Sequence, residues 1–169
     1  MKYCEDCGNL LEEQVQGRVW QCENCEHHIY TNPIPAIDAM LFDEQGRFLL
    51  GRRNREPAKG KLNLPGGFID PDESLEHGIA RELKEELGLN QSDYSDLIYA
   101  NSRVEYHTQQ GKPRQLICII MVGKIPHREF AANDEADKYY WLLPSELKLE
   151  DTSSPGEYEA IMQVAKLYE

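Results

Sequence analysis

Two Cys-x2-Cys pairs within the first 25 residues, a series of short apolar strand-like segments, and only two segments with helical periodicity predict the fold class. It is α+β: a small zinc ribbon followed by an α/β sandwich. A chain of 169 residues has room for one ordinary domain with a core and a small appendage.

The ribbon is expected over residues 1–31. Cys4 and Cys7 form one knuckle, Cys22 and Cys25 the other, and the segment between them reads as a hairpin turning near Gly17. Four thiolates at this spacing suit one tetrahedral Zn²⁺. With four protein ligands no coordination position stays open, so the zinc is structural. So short a segment buries little apolar surface, and the metal would supply its folding free energy. His27 and His28 follow the second knuckle and read as surface residues. Residues 30–35, with Pro33 and Pro35, read as a stiff extended linker, and a second domain is expected over residues 34–169.

In that domain residues 36–53 read as two strands around a turn at Asp43, Glu44, Gln45 and Gly46. A loop-rich stretch with a short strand at 62–64 follows, then a helix over 74–87. Strands are expected over 97–107 and 115–125, joined by a turn at 110–113, and a short strand over 138–142 precedes a helical turn in LPSEL. The run LICIIMV at 116–122 is too short to cross a bilayer and reads as a buried strand. A last helix spans 155–168, with Pro155 in its first turn and Tyr158, Ile161, Met162, Ala165 and Tyr168 at helical spacing.

The net charge of −12 argues against nucleic acid as a partner, because phosphate contacts need clustered Lys and Arg. An acidic protein that handles phosphates needs cations as intermediaries. No membrane partner is expected. The opening residues carry no apolar stretch of secretory type, and the paired cysteines suit a reducing compartment, so a cytoplasmic location is expected.

The chemistry concentrates in GFIDPDESLEHGIARELKEELGL at 67–89. At 100° per residue Ile79, Leu83 and Leu87, helped by Leu75 and Ala80, form a core stripe. Glu82, Glu85 and Glu86 share a neighbouring face, where like charges repel by a few tenths of a kcal/mol (about 0.2–0.5) per pair. Converging carboxylates are hard oxygen ligands for Mg²⁺ or Mn²⁺, although a solvated acidic face is the competing reading. Gly66 and Gly67 let backbone approach a ligand closely, and Arg81 is spaced to fold back on Glu73 and brace the loop.

The pattern Gly67-x5-Glu73-x7-Arg81-Glu82-Leu83-x-Glu85-Glu86-x-Gly88-Leu89 resembles the Nudix box at every specified position. The resemblance implies a Nudix (MutT-like) hydrolase over about 34–169, folded as an α/β/α sandwich around a mixed sheet. Such enzymes cleave a nucleoside diphosphate linked to another moiety, using Mg²⁺ or Mn²⁺. Carried over residue by residue, Glu82, Glu85, Glu86 and the carbonyl of Gly66 are metal ligands, and Glu73 with Arg81 is the structural brace. Glu135, six residues before Trp141, matches the additional glutamate that some members use as ligand or base, with Asp134 and Asp137 as alternates. The catalytic set is thus Glu82, Glu85, Glu86 and Glu135, the proton acceptor remaining open among them.

Arg52, Arg53 and Arg55 precede the box and are candidates for holding the non-scissile phosphate. Candidates for stacking on a base are Tyr30, Phe68, Tyr99, Tyr106 and Tyr139. A four-cysteine ribbon before such a domain resembles the NADH pyrophosphatase architecture, but NSRVEYHTQQGKPRQ at 101–115 contains nothing like that group's SQPWPFPxS motif. Leu62 stands where many members have Trp, and Asp72 where many have Gly. A small-molecule nucleotide is therefore expected as substrate: NADH or NAD, ADP-ribose or an FAD-like dinucleotide, with a nucleoside triphosphate as the alternative. A nucleotide-sensing module whose ribbon binds a partner is a further alternative, against which the box is complete. An isoprenoid diphosphate isomerase shares the fold but needs a catalytic Cys, whereas Cys118 lies in an apolar run and reads as an inert core thiol. The family commonly forms homodimers, to which an exposed ribbon could contribute.

Overall fold

The computed structural model describes residues 2–109 and 112–168. The chain divides into two compact units, Met1–Pro33 and Ile34–Glu169.

In the first unit β1 (Leu11–Val15), β2 (Val19–Cys22) and β3 (His28–Tyr30) form an antiparallel sheet in that order. Gly17 turns the β1–β2 hairpin at a φ of 68°, a left-handed value that glycine adopts without penalty. The core is small: Cys4, Leu11 and Cys22, with Trp20 and Ile29 packed against them. The strand β3 is a correction, because its last residue was expected to open the linker. A three-residue strand carries too little sequence to show a period, and its pairing with β2 (Val19 opposite Tyr30) decides its conformation.

In the second unit β4 (Ile34–Phe42), β5 (Phe48–Arg53), β8 (Ile98–Gln109), β9 (Lys112–Lys124) and β10 (Ala136–Leu142) build a sheet in the order β10-β5-β4-β9-β8. The sheet is mixed, since β4 runs parallel to β9 while the β8–β9 and β5–β10 pairs are antiparallel. Pro35, expected in the linker, instead lies in β4 opposite Ile117 of β9. The turn expected at 110–113 lies partly outside the described residues.

Each face of the sheet carries one helix. Ile37, Ala39, Leu41 and Leu49 pack on one face against Ile79 and Leu83 of α1 (Leu75–Leu87). Met40, Phe42, Phe48 and Leu50 pack on the other against Ala160, Ile161 and Val164 of α2 (Pro155–Tyr168). The alternation along β4 therefore serves both layers, as a strand buried on both sides must. The α2 stripe is rotated from the expected one. Its buried residues are Glu157, Ala160, Ile161, Val164 and Ala165, whereas Tyr168 is exposed.

Between β4 and β5 the sheet opens. The two strands share only the pair Phe42–Phe48. Beyond it the short strand β6 (Leu62–Asn63) pairs with β5 and β7 (Gly66–Phe68) pairs with β4, so residues 62–68 bridge the gap. Gly66 is compulsory there. At its φ of 150° a Cβ would sit 2.1 Å from the Ile37 carbonyl oxygen. Among the described residues no helix is long and apolar enough to cross a membrane.

Glu157 is buried in the α2 layer, where Ser153 donates to its carboxylate from both backbone N–H and hydroxyl. Burial raises its proton affinity above the ordinary value of 4.5. A carboxyl whose pKa is raised in the folded state binds more protons there than in the unfolded chain. Its contribution to stability is therefore lost as pH rises from the unfolded value through the folded one. Glu157→Gln is expected to flatten that decline, with urea midpoints that diverge from the parent's above about pH 4.5 and agree below it. Gly66→Ala is expected to lower stability by more than about 1 kcal/mol in the same measurement.

Candidate functional site

The loop ahead of α1 is organised by one guanidinium. Arg81 donates from Nε to Glu73 Oε1 at 3.0 Å and from Nη2 to Glu73 Oε2 at 2.9 Å, a two-pronged bond. Its Nη2 also donates to the Phe68 carbonyl at 2.9 Å, and its Nη1 to Glu82 at 2.8 Å and Glu85 at 3.3 Å. These bonds hold the Glu73 carboxyl below its usual range. Ser74 caps α1 by accepting from the His77 N–H, and Gly88 closes it in a left-handed conformation.

Two glycines bring the loop against the helix. A Cβ on Gly67 would lie 2.3 Å from Glu82 Oε1, and one on Gly78 would lie 2.5 Å from Ile69 Cδ1 and 3.1 Å from Glu73 Oε2. Gly78 costs roughly 1 kcal/mol of helix propensity relative to alanine, and in return the loop can lie directly on α1. The sequence reading missed its role. The signal was a glycine in mid-helix, four residues before Glu82 and so on the same face as the acidic edge.

The three glutamates fall in different environments. Glu85 is mostly exposed, Glu82 is nearly buried beside Arg81, and Glu86 accepts a 3.1 Å hydrogen bond from the Gly66 N–H. Burial raises the proton affinity of Glu82, with the charges of Glu85 and Glu135 adding and Arg81 opposing. Burial also pushes Glu86 up to about 8, helped by the charges of Glu82, Glu135 and Asp38 and resisted by the Gly66 hydrogen bond. This edge is short of positive charge, and its donors are hard oxygens, a combination that fits Mg²⁺ or Mn²⁺.

Glu135 lies close enough for its charge to act on both Glu82 and Glu86, and its carboxylate pairs with Arg55 at 2.6 Å. Of its alternates, Asp134 is exposed, and Asp137 is gripped by Arg52 through bonds of 2.7 and 3.0 Å. Arg53 donates from Nε to the Pro57 carbonyl. The candidate phosphate-binding arginines thus already hold partners of the protein itself. Among the aromatic candidates, Tyr139 is half-buried and directs its hydroxyl at the Glu86 carbonyl, while Phe68, beside Gly67, is half exposed. Tyr99 and Tyr106 lie exposed on β8, and Tyr30 belongs to the first unit. The Cys118 thiol is buried and pushed up to about 12 by that burial, as an inert core thiol should be.

In the first unit the sulfurs of Cys4, Cys7, Cys22 and Cys25 lie within 4.8 Å of one another, with close pairs at 3.4–3.6 Å. The edge of a ZnS4 tetrahedron with Zn–S bonds of about 2.3 Å is about 3.8 Å, so one zinc ion fits with little adjustment. His27 is engaged with Asp6 at 2.8 Å and Glu5 at 3.4 Å. Among the described residues only this cluster already brings its ligand atoms within a single ion's reach. On α1, Arg81 bonds Glu82 and Glu85, and Glu86 accepts from the Gly66 N–H.

The sequence profile described as the NUDIX domain matches residues 32–164. A chloroplastic protein of Arabidopsis thaliana named Nudix hydrolase 19 is 31% identical over 128 residues, covering 72% of this chain and 27% of that protein. A protein of Methanocaldococcus jannaschii named ADP-ribose pyrophosphatase is 31% identical over 112 residues, covering 66% of this chain and 62% of that protein. The chain thus spans less than two thirds of the length of either curated relative. The crystal structure of a MutT protein from Methanosarcina mazei superposes with a TM-score of 0.66 at 27% identity, covering 83% of this chain and 97% of that one. With its box complete, its sheet mixed and a helix on each face, the chain belongs to the Nudix family.

Proposed function

We propose that the protein is a metal-dependent pyrophosphohydrolase that cleaves the diphosphate of a nucleoside diphosphate linked to another moiety. ADP-ribose and nicotinamide or flavin dinucleotides are its substrates. The observation that carries this reading is the acidic edge of α1. Glu86 accepts from the Gly66 N–H of the glycine strand β7, Glu82 lies nearly buried against Gly67, and Arg81 ties Glu85 to Glu82. A merely solvated acidic face does not bury its carboxylates. The M. jannaschii relative, an ADP-ribose pyrophosphatase by name, supports the choice of ADP-ribose.

Each residue then has a task. Glu82, Glu85 and Glu86, with the Gly66 carbonyl, hold divalent cations. When bound, these ions neutralise diphosphate charge and lower the pKa of water. Arg81 keeps Glu82 and Glu85 oriented and locks Glu73 under the loop, so the donors need little reorganisation. Glu135, outside the helix, accepts the proton of the attacking water at its carboxylate. Phe68 offers the base an exposed ring next to Gly67. In the first unit the four cysteines hold a structural zinc, which stabilises a core too small to fold alone.

Three outcomes test this reading. In a nucleotide panel with Mg²⁺ and Mn²⁺, a nucleoside monophosphate is expected from at least one of ADP-ribose, NADH or FAD. Silence across the whole panel would sink the enzyme reading. Glu85→Gln and Glu86→Gln are expected to lower kcat at least about 100-fold without unfolding, and Arg81→Lys by about 10- to 100-fold through loss of the fork. Unchanged rates would remove these residues from the site. Elemental analysis of protein purified without chelator is expected to find one zinc per chain, and Cys22→Ser to lose it. Metal-free protein with β1–β3 intact would contradict the structural role.

A further inference from the structure

The last turn of α1 leaves a carbonyl that the helix cannot satisfy. Gly88 N–H bonds to Lys84 O and Leu89 N–H to Leu83 O, which closes the end of the helix. Glu86 O lies two residues beyond Lys84 and has no partner in that pattern. It accepts instead from Asn133 Nδ2 at 2.5 Å and from the Tyr139 hydroxyl at 3.4 Å. These donors come from 47 and 53 residues away.

Asn133 uses the other end of its amide on the loop. Its Oδ1 accepts from Glu135 N–H at 2.9 Å and from Ala136 N–H at 2.8 Å, and its Nδ2 also meets the Tyr139 hydroxyl at 3.0 Å. The amide orientation follows from its partners: two carbonyl-type or hydroxyl oxygens face one end, and two N–H groups face the other. Glu135 is gripped from its far side too, since its carbonyl accepts from Asn54 N–H at 2.8 Å. The backbone of Glu135 is thereby fixed at both its N–H and its C=O.

We propose that Asn133 is a positioning residue: a single side-chain amide joins the backbone of Glu86 to the backbone of Glu135 and so sets Glu135 against the glutamates of α1. No other side chain among the described residues bonds both the last turn of α1 and this loop's backbone. The inference rests on the catalytic assignment of Glu135 made above. Tyr139 supports the tether from β10, and its ring packs against Phe130 at 5.7 Å between centroids.

A double-mutant cycle tests it with the full chain, Mg²⁺ and whichever nucleotide the panel shows to be cleaved. Asn133→Ala is expected to lower kcat about 10- to 100-fold with little change in KM. In a Glu135→Gln background the same change is expected to cost less than about threefold, because the residue it positions has already lost its function. Asn133→Asp keeps the one oxygen that accepts from both loop N–H groups but sets a second oxygen against the Glu86 carbonyl, and it is expected to be as damaging as alanine. Tyr139→Phe, which deletes one hydroxyl, is expected to show the same coupling on a smaller scale and serves if an Asn133 variant does not fold. Equal losses in both backgrounds, or a fully active Asn133→Asp, would overturn the inference while leaving Glu135 catalytic. Full activity of Glu135→Gln would overturn the assignment of Glu135, and the inference with it.

Discussion

The site depends on one guanidinium that is given more carboxylates than it can neutralise. Arg81 holds Glu73 with a two-pronged bond and also reaches Glu82, Glu85 and the Phe68 carbonyl. Lysine could not replace it, because a point charge lacks the planar fork that bonds three directions at once. Around this centre the loop, the helix and the strand β7 are fixed together. Glu86 lies outside its reach and depends on the Gly66 N–H. The result is an edge whose geometry is settled by hydrogen bonds but whose charge is not balanced.

That imbalance connects the site to the whole chain. A protein with a net charge of −12 repels a diphosphate, and at this edge the arginines of β5 and its following loop already hold Asp137, Glu135 and the Pro57 carbonyl. On the proposed function, positive charge for a phosphate would come from cations held between the glutamates and the substrate. The same pressure is seen in the raised proton affinity of Glu86, which in their absence a proton relieves.

Most of α1 was legible in the sequence because helical spacing is a local property. The stripe of Ile79 and Leu83 and the Arg81–Glu73 brace lie within 20 residues and follow from period and side-chain reach. The cysteine cluster was legible for a similar reason, since each knuckle is four residues long. What was not legible is long-range. The strands β3 and β7 have three residues each and are strands only because a neighbour pairs with them. The α2 stripe was misjudged in part: Ile161 and Ala165 are buried and Tyr158 packs against the core, but Tyr168 is exposed, and the sheet takes Ala160 and Val164 with a buried Glu157. The part played by Asn133 spans 47 residues and leaves no periodic trace.

The single shared pair between β4 and β5 gives the sheet a mechanical character. Its strands form two leaves, one of β10, β5 and β6 and one of β7, β4, β9 and β8, joined in register only at Phe42–Phe48 and by the crossing at Leu64 and Pro65. Direct pairing is confined to Phe42–Phe48, whose rings pack 5.9 Å apart between centroids. The placement of one leaf against the other at the far end therefore rests on the bridging residues 62–68 and on side-chain packing beneath the two helices, not on a continuous hydrogen-bonded ladder.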